Sequence, residues 1–370
     1  MASVYELANA ALMSTSAQMP VKKDADCMDQ VQATLTPTLP LTQPQVDPGT
    51  QAPRVNTRTP LPREYKTYND TLTPTAFGFN NSGVICWGNA DNQSLFSCTS
   101  FIDTLLHLEE ELSKSPLGKA CVTLARHIQG KTDPTQVDLK GHSLEIIKSM
   151  IRVLYYKNGK QLISASQQQC ANEGFILLLD ALNCRQIDDL FNNIYQIDTE
   201  CPACKQICST MRDKNIQIEI FSNFEFKTSQ DFANYLRVHT SETSDYRCDK
   251  CNVKSANVKR TAKLRRVGEI IVIMFNKYHV KTNKWFPLDF VLPGANNTSL
   301  KYELVSQIEH VGSLHGGHYY AYCKRAGGVY LLNDTVATLA EGFAPTANTY
   351  MLMYHLASIG DNGANQGSSV

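Results

Sequence analysis

Two pairs, Cys201-Pro-Ala-Cys204 and Cys248-Asp-Lys-Cys251, constrain this chain more than any other stretch. Each C-x2-C places two thiolates on one tight turn, and together they offer four soft ligands for a closed, tetrahedral structural zinc. Lys205, Lys250 and Lys254 stand beside them and would offset the negative charge of four thiolates. A redox dithiol or a chance pairing is the alternative. The 43 residues between the pairs fit zinc tying together the tips of a hairpin-like β-projection. Gln217–Phe226 and Leu264–Tyr278 carry β-branched and aromatic runs that read as strands on either side.

Twelve cysteines without a secretory leader at Met1–Met19 suggest reduced thiols and metal ligands, not disulfides. That predicts a cytoplasmic location, with the nucleus as a second. Formal net charge is +0, which advertises no field for nucleic acid or an anionic membrane. No apolar run approaches the ~20 residues of a membrane span. The expectation is a monomer with no nucleic-acid or membrane partner. Residues 1–76 read as a disordered Pro/Thr/Gln-rich tail, since seven of the fifteen prolines fall between Pro37 and Pro62. Residues 77–358 read as the folded domain. Residues 359–370, rich in Gly, Asn and Ser, read as a flexible C-terminal tail.

Helical spacing dominates from Phe101 to about Leu190. Phe101–Leu112 and Leu144–Tyr155 show apolar residues three and four apart. Ser166–Leu182 is a third candidate, with Ser166 as N-cap and Gln169 three residues on, the capping-box pattern. Its half Phe175–Leu182 should be core. Gln168, Gln169 and Glu173 should be exposed or face a cleft.

Upstream, Gly78–Phe96 holds Cys86 between the turn residues Asn80-Asn81-Ser82-Gly83 and a plausible helix. A thiol at a helix N-terminus meets free N–H groups and the positive dipole end, which lowers its pKa. Asn81 could aim its amide at a developing oxyanion. Alone, such a cysteine is more often a small buried hydrophobe. The last third changes its meaning. Short strands are expected at Glu269–Phe275, Leu288–Leu292, Tyr302–His310, Tyr319–Lys324, Val329–Leu332 and Tyr350–Tyr354. Among them lie Gly316-Gly317-His318-Tyr319 and then Asn333-Asp334. Cys86, His318 and Asn333 or Asp334 follow the Cys…His…Asn/Asp order of papain-like thiol proteases. A histidine is needed to pair with the thiolate and protonate the leaving amine; an amide or carboxylate is needed to fix its tautomer.

At these residues the chain resembles the ubiquitin-specific protease family of deubiquitinases. The Cys box stands at Asn81, Gly83, Cys86, Asn89 and Gln93. The Gln-Gln-Asp-Ala-x-Glu segment appears as Gln168-Gln169-Cys170-Ala171-Asn172-Glu173, followed by Leu178-Leu179-Asp180. The zinc knuckles match in type and order, and Phe275-Asn276-Lys277-Tyr278 stands for the family's Leu-Lys-Arg-Phe. The His box is Gly316-Gly317-His318-Tyr319, the pair is Asn333-Asp334, and Tyr350–Tyr354 resembles the closing strand.

The resemblance implies an α+β, papain-like fold likened to a right hand. The thumb would span about 86–190, zinc-bearing fingers about 195–262 and the palm about 263–358. It implies hydrolysis of the (iso)peptide bond after the Gly-Gly end of ubiquitin, with ubiquitin and ubiquitinated proteins as partners. Cys86 would be nucleophile, His318 base then acid, Asn333 its orienting partner, and Asn81 with Asp334 support for the oxyanion. Gln93, Gln168, Gln169, Glu173, Gly316, Gly317 and Tyr319 would line the substrate path. Zinc on Cys201, Cys204, Cys248 and Cys251 would be structural. The departures are Trp87, Gly88, Ala90, Asp91 and Asn92 on the catalytic helix, and Cys170 where the family has Asp. They mark a divergent member. The alternatives are a weak or inactive ubiquitin-binding protein on the same fold, a protease retuned to a ubiquitin-like modifier, and a zinc-ribbon nucleic-acid module, which the neutral charge disfavours.

Overall fold

The helical periodicity that begins at Cys86 is realised as seven helices among the described residues between Cys86 and Phe191. They are α1 Cys86–Leu95, α2 Thr99–His107, α3 Glu109–Leu112, α4 Pro116–Ile128, α5 Leu139–Asn158, α6 Ala171–Leu182 and α7 Arg185–Phe191. This computed structural model describes residues 76–81, 83–130, 139–221, 225–243, 245–276, 284–295, 297–313 and 316–361. Contacts divide the chain into Met1–Asn56 and Thr57–Val370, and every described residue lies in the second unit. The expectations for residues 1–75 and 362–370, and for Ser82 and Lys277-Tyr278, lie outside the described residues.

Two helix expectations are corrected. The run Phe101–Leu112 is two helices, interrupted at Leu108. Glu109, Glu110 and Glu111 open α3, where the positive dipole end favours carboxylates; at the C-terminus of a continuous helix they would oppose it. The capping box at Ser166 does not form. α6 starts at Ala171, and the side chain of its N-cap Cys170 makes no capping bond. The Ser164 and Ser166 hydroxyls instead pair with each other at 2.8 Å. The segment between them and α6 thus stays outside the helix, and Gln168 reaches a glycine-rich strand.

Beyond α7 the chain turns to strands. β1 Asn193–Glu200, β2 Ile207–Asn215, β4 Val238–Thr243 and β7 Val258–Arg266 form an antiparallel sheet in the order β2-β1-β7-β4. β3 Ile218–Phe221 leaves it, and α8 Ser229–Arg237 lies between β3 and β4. β5 Tyr246–Arg247 and β6 Lys254–Ser255 make a separate hairpin at its tip. The expected single strand Leu264–Tyr278 is split. Its first residues finish β7, and β8 Ile270–Asn276 enters a second sheet. Gly268 sits at the switch, where a Cβ would lie 2.3 Å from the Leu190 carbonyl oxygen.

That second sheet runs β13-β12-β11-β10-β14-β8-β3, with β9 Asp289–Pro293 on β10. Its members are β10 Thr298–Ser313, β11 Gly316–Arg325, β12 Gly328–Asn333, β13 Val336–Ala340 and β14 Thr349–Asp361. β3 and β8 pair in parallel; the other ladders are antiparallel. Both faces of its centre are covered, so β8 reads Ile-Ile-Val-Ile-Met-Phe without polar alternation. Ile270, Val272 and Met274 join the core under the helices. Ile271, Ile273 and Phe275 join a second core with α8 and β9. The first three residues of the tail expected from residue 359 are part of the sheet: Ile359, Gly360 and Asp361 pair with Leu300, Ser299 and Thr298, because the 16-residue β10 offers partners that far. Among the described residues no helix is long and apolar enough to cross a membrane.

Candidate active site and metal site

α1 carries the candidate nucleophile, and it is an unusual helix. All ten of its residues are buried, although five are Asn, Asp, Gln or Ser. Buried polar groups need partners, and here most partners are segments that build the site. Asn89 donates to Asp334 Oδ1 at 2.8 Å and to the Asn80 carbonyl at 3.3 Å. Asn92 donates to Ser143 on α5 at 2.9 Å, and Ser94 Oγ receives the Ser306 hydroxyl of β10. Gln93 donates to the Phe77 carbonyl at 2.8 Å. Gln93 is therefore inside the protein, 3% exposed, and not on a substrate path as expected.

The departures on α1 fit their surroundings. Gly88 costs a helix interior about 1 kcal/mol, yet a Cβ there would meet the Ile147 side chain at 2.5 Å. Gly174 on α6 leaves room for the Trp87 ring, which a Cβ would meet at 2.4 Å. Asp91 is the exception. Its buried carboxyl has no partner among the described residues, and burial raises its pKa well above the carboxylate range.

Residues 76–81 lie against the turn after β12. Phe79 N–H donates to the Asp334 carbonyl at 2.7 Å. Gly78 is required there: a Cβ would lie 2.3 Å from the Asp334 oxygen. Asn81 follows. Its Oδ1 accepts from the N–H groups of Gly83 and Ile85, which builds the turn into α1. Its Nδ2 donates to Asp334 Oδ2 at 2.9 Å.

Cys86 is the first residue of α1, as expected, but its thiol is not activated by that position alone. Burial pushes it up to about 11. The N–H groups of Tyr319 and Trp87 pull the other way, and the Asp334 charge adds to the rise. Desolvation outweighs the helix start. Among the described residues no hydrogen bond joins Cys86 to His318.

His318, third residue of β11, places Nε2 2.6 Å from Asn333 Oδ1 at the end of β12. Nε2 is 3.9 Å from Asp334 Oδ2. Asn333 is therefore the direct partner of the imidazole. Asp334, with φ of 49°, turns its carboxylate toward Asn81 and Asn89.

Gln168 meets Gly317 at both ends of its amide: Nε2 donates to the Gly317 carbonyl at 2.8 Å, and Oε1 accepts from the Gly317 N–H at 3.2 Å. It bridges the segment before α6 to the strand that carries His318. Gly316 lies beside it, where a Cβ would come 3.3 Å from Gln168 Oε1. A side chain on Gly317 would strike the His310 ring at 2.4 Å. Tyr319, stacked on His310 with centroids 4.4 Å apart, is buried. Gln169 and Glu173 are half-buried, and burial raises the Glu173 pKa. Cys170 is 3.0 Å from Tyr350 Oη. Sequence reasoning missed Tyr350 in this group, and it missed Arg325, whose buried guanidinium donates to Gln93. Arg325 follows Lys324 at the end of β11, and no local pattern sets it or Tyr350 apart.

The four knuckle cysteines come together at the far end of the small sheet. Their sulfurs all lie within 4.8 Å of one another. Cys201 to Cys251 and Cys204 to Cys248 are both 3.7 Å. Tetrahedral zinc with bonds of ~2.3 Å separates its sulfurs by ~3.8 Å, so the set fits the ion. The two turns are built alike. Lys205 N–H returns to the Cys201 carbonyl and Asn252 N–H to the Cys248 carbonyl, and both residues have φ near +60°, at 59° and 60°. N–H groups of Cys251 and Lys250 favour the Cys248 thiolate, the form a metal needs, while desolvation and the neighbouring sulfurs push the Cys204 thiol up in the same cluster. These four residues could hold a metal ion.

The comparisons agree with this geometry. The family model described as ubiquitin carboxyl-terminal hydrolase matches residues 77–354. Probable ubiquitin carboxyl-terminal hydrolase 16 of Schizosaccharomyces pombe is 20% identical over 313 residues, covering 77% of this chain and 68% of that protein. Ubiquitin carboxyl-terminal hydrolase 8 of Saccharomyces cerevisiae is 20% identical, covering 56% of this chain and 46% of that protein. Human ubiquitin carboxyl-terminal hydrolase 21 is 29% identical over 124 residues, covering 30% and 21%. The chain thus spans between a fifth and two thirds of the length of these relatives. The solved structure of the SAGA Ubp8/Sgf11/Sus1/Sgf73 DUB module bound to ubiquitin aldehyde superimposes with a TM-score of 0.61 at 15% identity, covering 77% of this chain and 70% of that one. The fold is therefore the α+β, papain-like hand expected from the sequence, and the chain belongs to the ubiquitin carboxyl-terminal hydrolase family, in its ubiquitin-specific, cysteine-type branch.

Proposed function

We propose that this chain is a thiol-dependent deubiquitinase that hydrolyses the (iso)peptide bond after the C-terminal Gly-Gly of ubiquitin. The observation that carries the reading is the 2.6 Å contact of His318 Nε2 with Asn333 Oδ1. It commits Nε2 to orientation, fixes the tautomer, and leaves Nδ1 as the nitrogen to serve Cys86. In the first step Nδ1 takes the thiol proton and the thiolate attacks the glycine carbonyl carbon. The resulting oxyanion is stabilised by N–H donors at the start of α1 and by the second amide hydrogen of Asn81. His318 returns its proton to the leaving amine as the C–N bond breaks. A water then gives its proton to His318 and its oxygen to the thioester carbon, releasing the glycine carboxylate and restoring the thiol. Zinc on the four cysteines would hold the tip of the small sheet and takes no part in these steps.

A thiol at about 11 in the resting arrangement favours a second reading, a weak or inactive ubiquitin-binding protein. An electrophilic ubiquitin-tail probe separates the two. Labelling of wild type at Cys86, and none of Cys86→Ala, supports the enzyme. A folded wild type that binds ubiquitin but resists the probe supports the second reading. Faster labelling by a probe built on a ubiquitin-like modifier would move the substrate assignment, and Cys170 beside Tyr350 is the first residue to examine in that case.

A further inference from the structure

Arg325 is the last residue of β11, seven positions after His318, and only 4% of it is exposed. No carboxylate pairs with it among the described residues. Its guanidinium instead grips the C-terminal end of α1. Nη2 donates to both the main-chain carbonyl and the side-chain Oε1 of Gln93, each at 2.9 Å. Nη1 donates to Ser97 Oγ and, at 3.1 Å, to the Lys324 carbonyl. The negative end of the helix dipole supplies the counter-charge. Gln93 in turn holds the Phe77 carbonyl at 2.8 Å, four residues before Asn81.

These bonds join three elements that each carry one member of the site: Cys86 on α1, His318 on β11 and Asn81 on the segment before α1. Polar contacts between α1 and β11 include Cys86 at the Tyr319 N–H and Gln93 at Arg325. We propose that Arg325 is a positioning residue, whose guanidinium locks α1, β11 and the 76–81 segment together so that Cys86, His318 and Asn81 meet in register. The proposal rests on the roles given above to Cys86 and His318. A buried cation without an anion is a poor device for stability, since an apolar replacement of like volume is often neutral or stabilising. What the fork geometry supplies, and a methionine cannot, is fixed direction.

That difference makes the test sharp. Arg325→Met, Arg325→Lys and the neighbour variant Lys324→Met, at a half-buried residue paired with Glu303, are compared with wild type in the full chain. The readouts are kcat and KM on a fluorogenic ubiquitin conjugate, the pH profile of kcat/KM, the rate of Cys86 alkylation by iodoacetamide read by peptide mass spectrometry, and thermal melting. The expected result for Arg325→Met is a kcat lower by on the order of 10²-fold, the effect of a misplacement of about 1 Å, with KM within about twofold. The acid limb of kcat/KM should move to higher pH, because a misplaced imidazole stabilises the thiolate less. Arg325→Lys should fall between, and Lys324→Met should match wild type. A folded Arg325→Met with wild-type kcat and pH profile overturns the proposal. If Arg325→Met does not fold, the same result for Arg325→Lys overturns it. Should wild type cleave no ubiquitin conjugate, the deubiquitinase reading fails instead. The alkylation order, wild type above Arg325→Lys above Arg325→Met, then decides the role of Arg325, and equal rates overturn it.

Discussion

Asp334 holds Asn81, not His318: its Oδ2 is 2.9 Å from Asn81 Nδ2 and 3.9 Å from His318 Nε2. The adjacent pair Asn333-Asp334 is therefore divided between two tasks. Asn333 orients the base, and Asp334 orients the amide beside the nucleophile.

This division predicts different kinetic signatures. Asn333→Ala should lower kcat by roughly 10²- to 10³-fold, as loss of a preorganised polar contact does. Asn333→Asp should retain most activity, since a carboxylate oxygen can accept from Nε2. Asp334→Ala should lower kcat less, and the double variant with Asn81→Ala should lose less than the sum of the two single losses, because the Asn81–Asp334 contact is removed by either one. Steady-state kinetics of the four single variants and the double variant check this. Additive losses from Asp334→Ala and Asn81→Ala would show that the two act separately.

For the cysteine cluster, the expectation is one zinc ion per folded chain, measured by elemental analysis. Cys248→Ser should lose the metal, and a strong chelator should lower the melting temperature of wild type but not of that variant. Well-folded protein without metal at these four sulfurs would remove zinc from the account.

A third prediction concerns acid. His355, on β14, accepts the Ser100 N–H at 3.3 Å and lies 3.0 Å from the Ser100 hydroxyl, capping α2, whose own N-cap Cys98 makes no side-chain capping bond. Burial holds its pKa down to about 4, with the Lys324 charge adding to the depression. The unfolded imidazole titrates near ~6.5. Above that pH both states are neutral and the cap is intact. As pH falls from about 6.5 toward 4, the unfolded chain takes up a proton that the folded one refuses, so stability drops across that window. His355→Gln keeps an acceptor and should flatten that part of the melting-temperature profile. Parallel profiles for the two proteins would show that His355 does not carry the acid sensitivity.

Much of this was legible in the sequence. Cys86 opens a helix, His318 lies on a strand behind two glycines, and the two C-x2-C turns converge. In each case the cue was local: turn residues, a spacing, a ligand type. What escaped was non-local. Gln93 read as a group facing substrate because nothing within its own helix shows that Phe77 and Arg325 would claim both ends of its amide. The false capping box at Ser166 failed for a related reason. Its pattern is correct over four residues, but Gln168 is drawn across to Gly317 and the helix cannot start until the chain has passed it. The resting thiol is the clearest case. Helix position argued for a lowered pKa, and burial by the neighbouring strand reversed the sign.

The knuckle turns bear on how the chain finds its fold. Cys204 and Cys248 are separated by 43 residues that include β2, β3, α8 and β4. A metal bound at the first knuckle and captured by the second would close that loop before the small sheet exists. Closing a loop of this length removes roughly 3–4 kcal/mol of chain entropy from the unfolded state, by the reasoning used for a covalent cross-link. The ion would then act early, on search time, by turning the distant pairing of β1 with β7 into a near-neighbour event. Refolding with the metal present should accordingly outpace refolding without it by more than the difference in final stability requires.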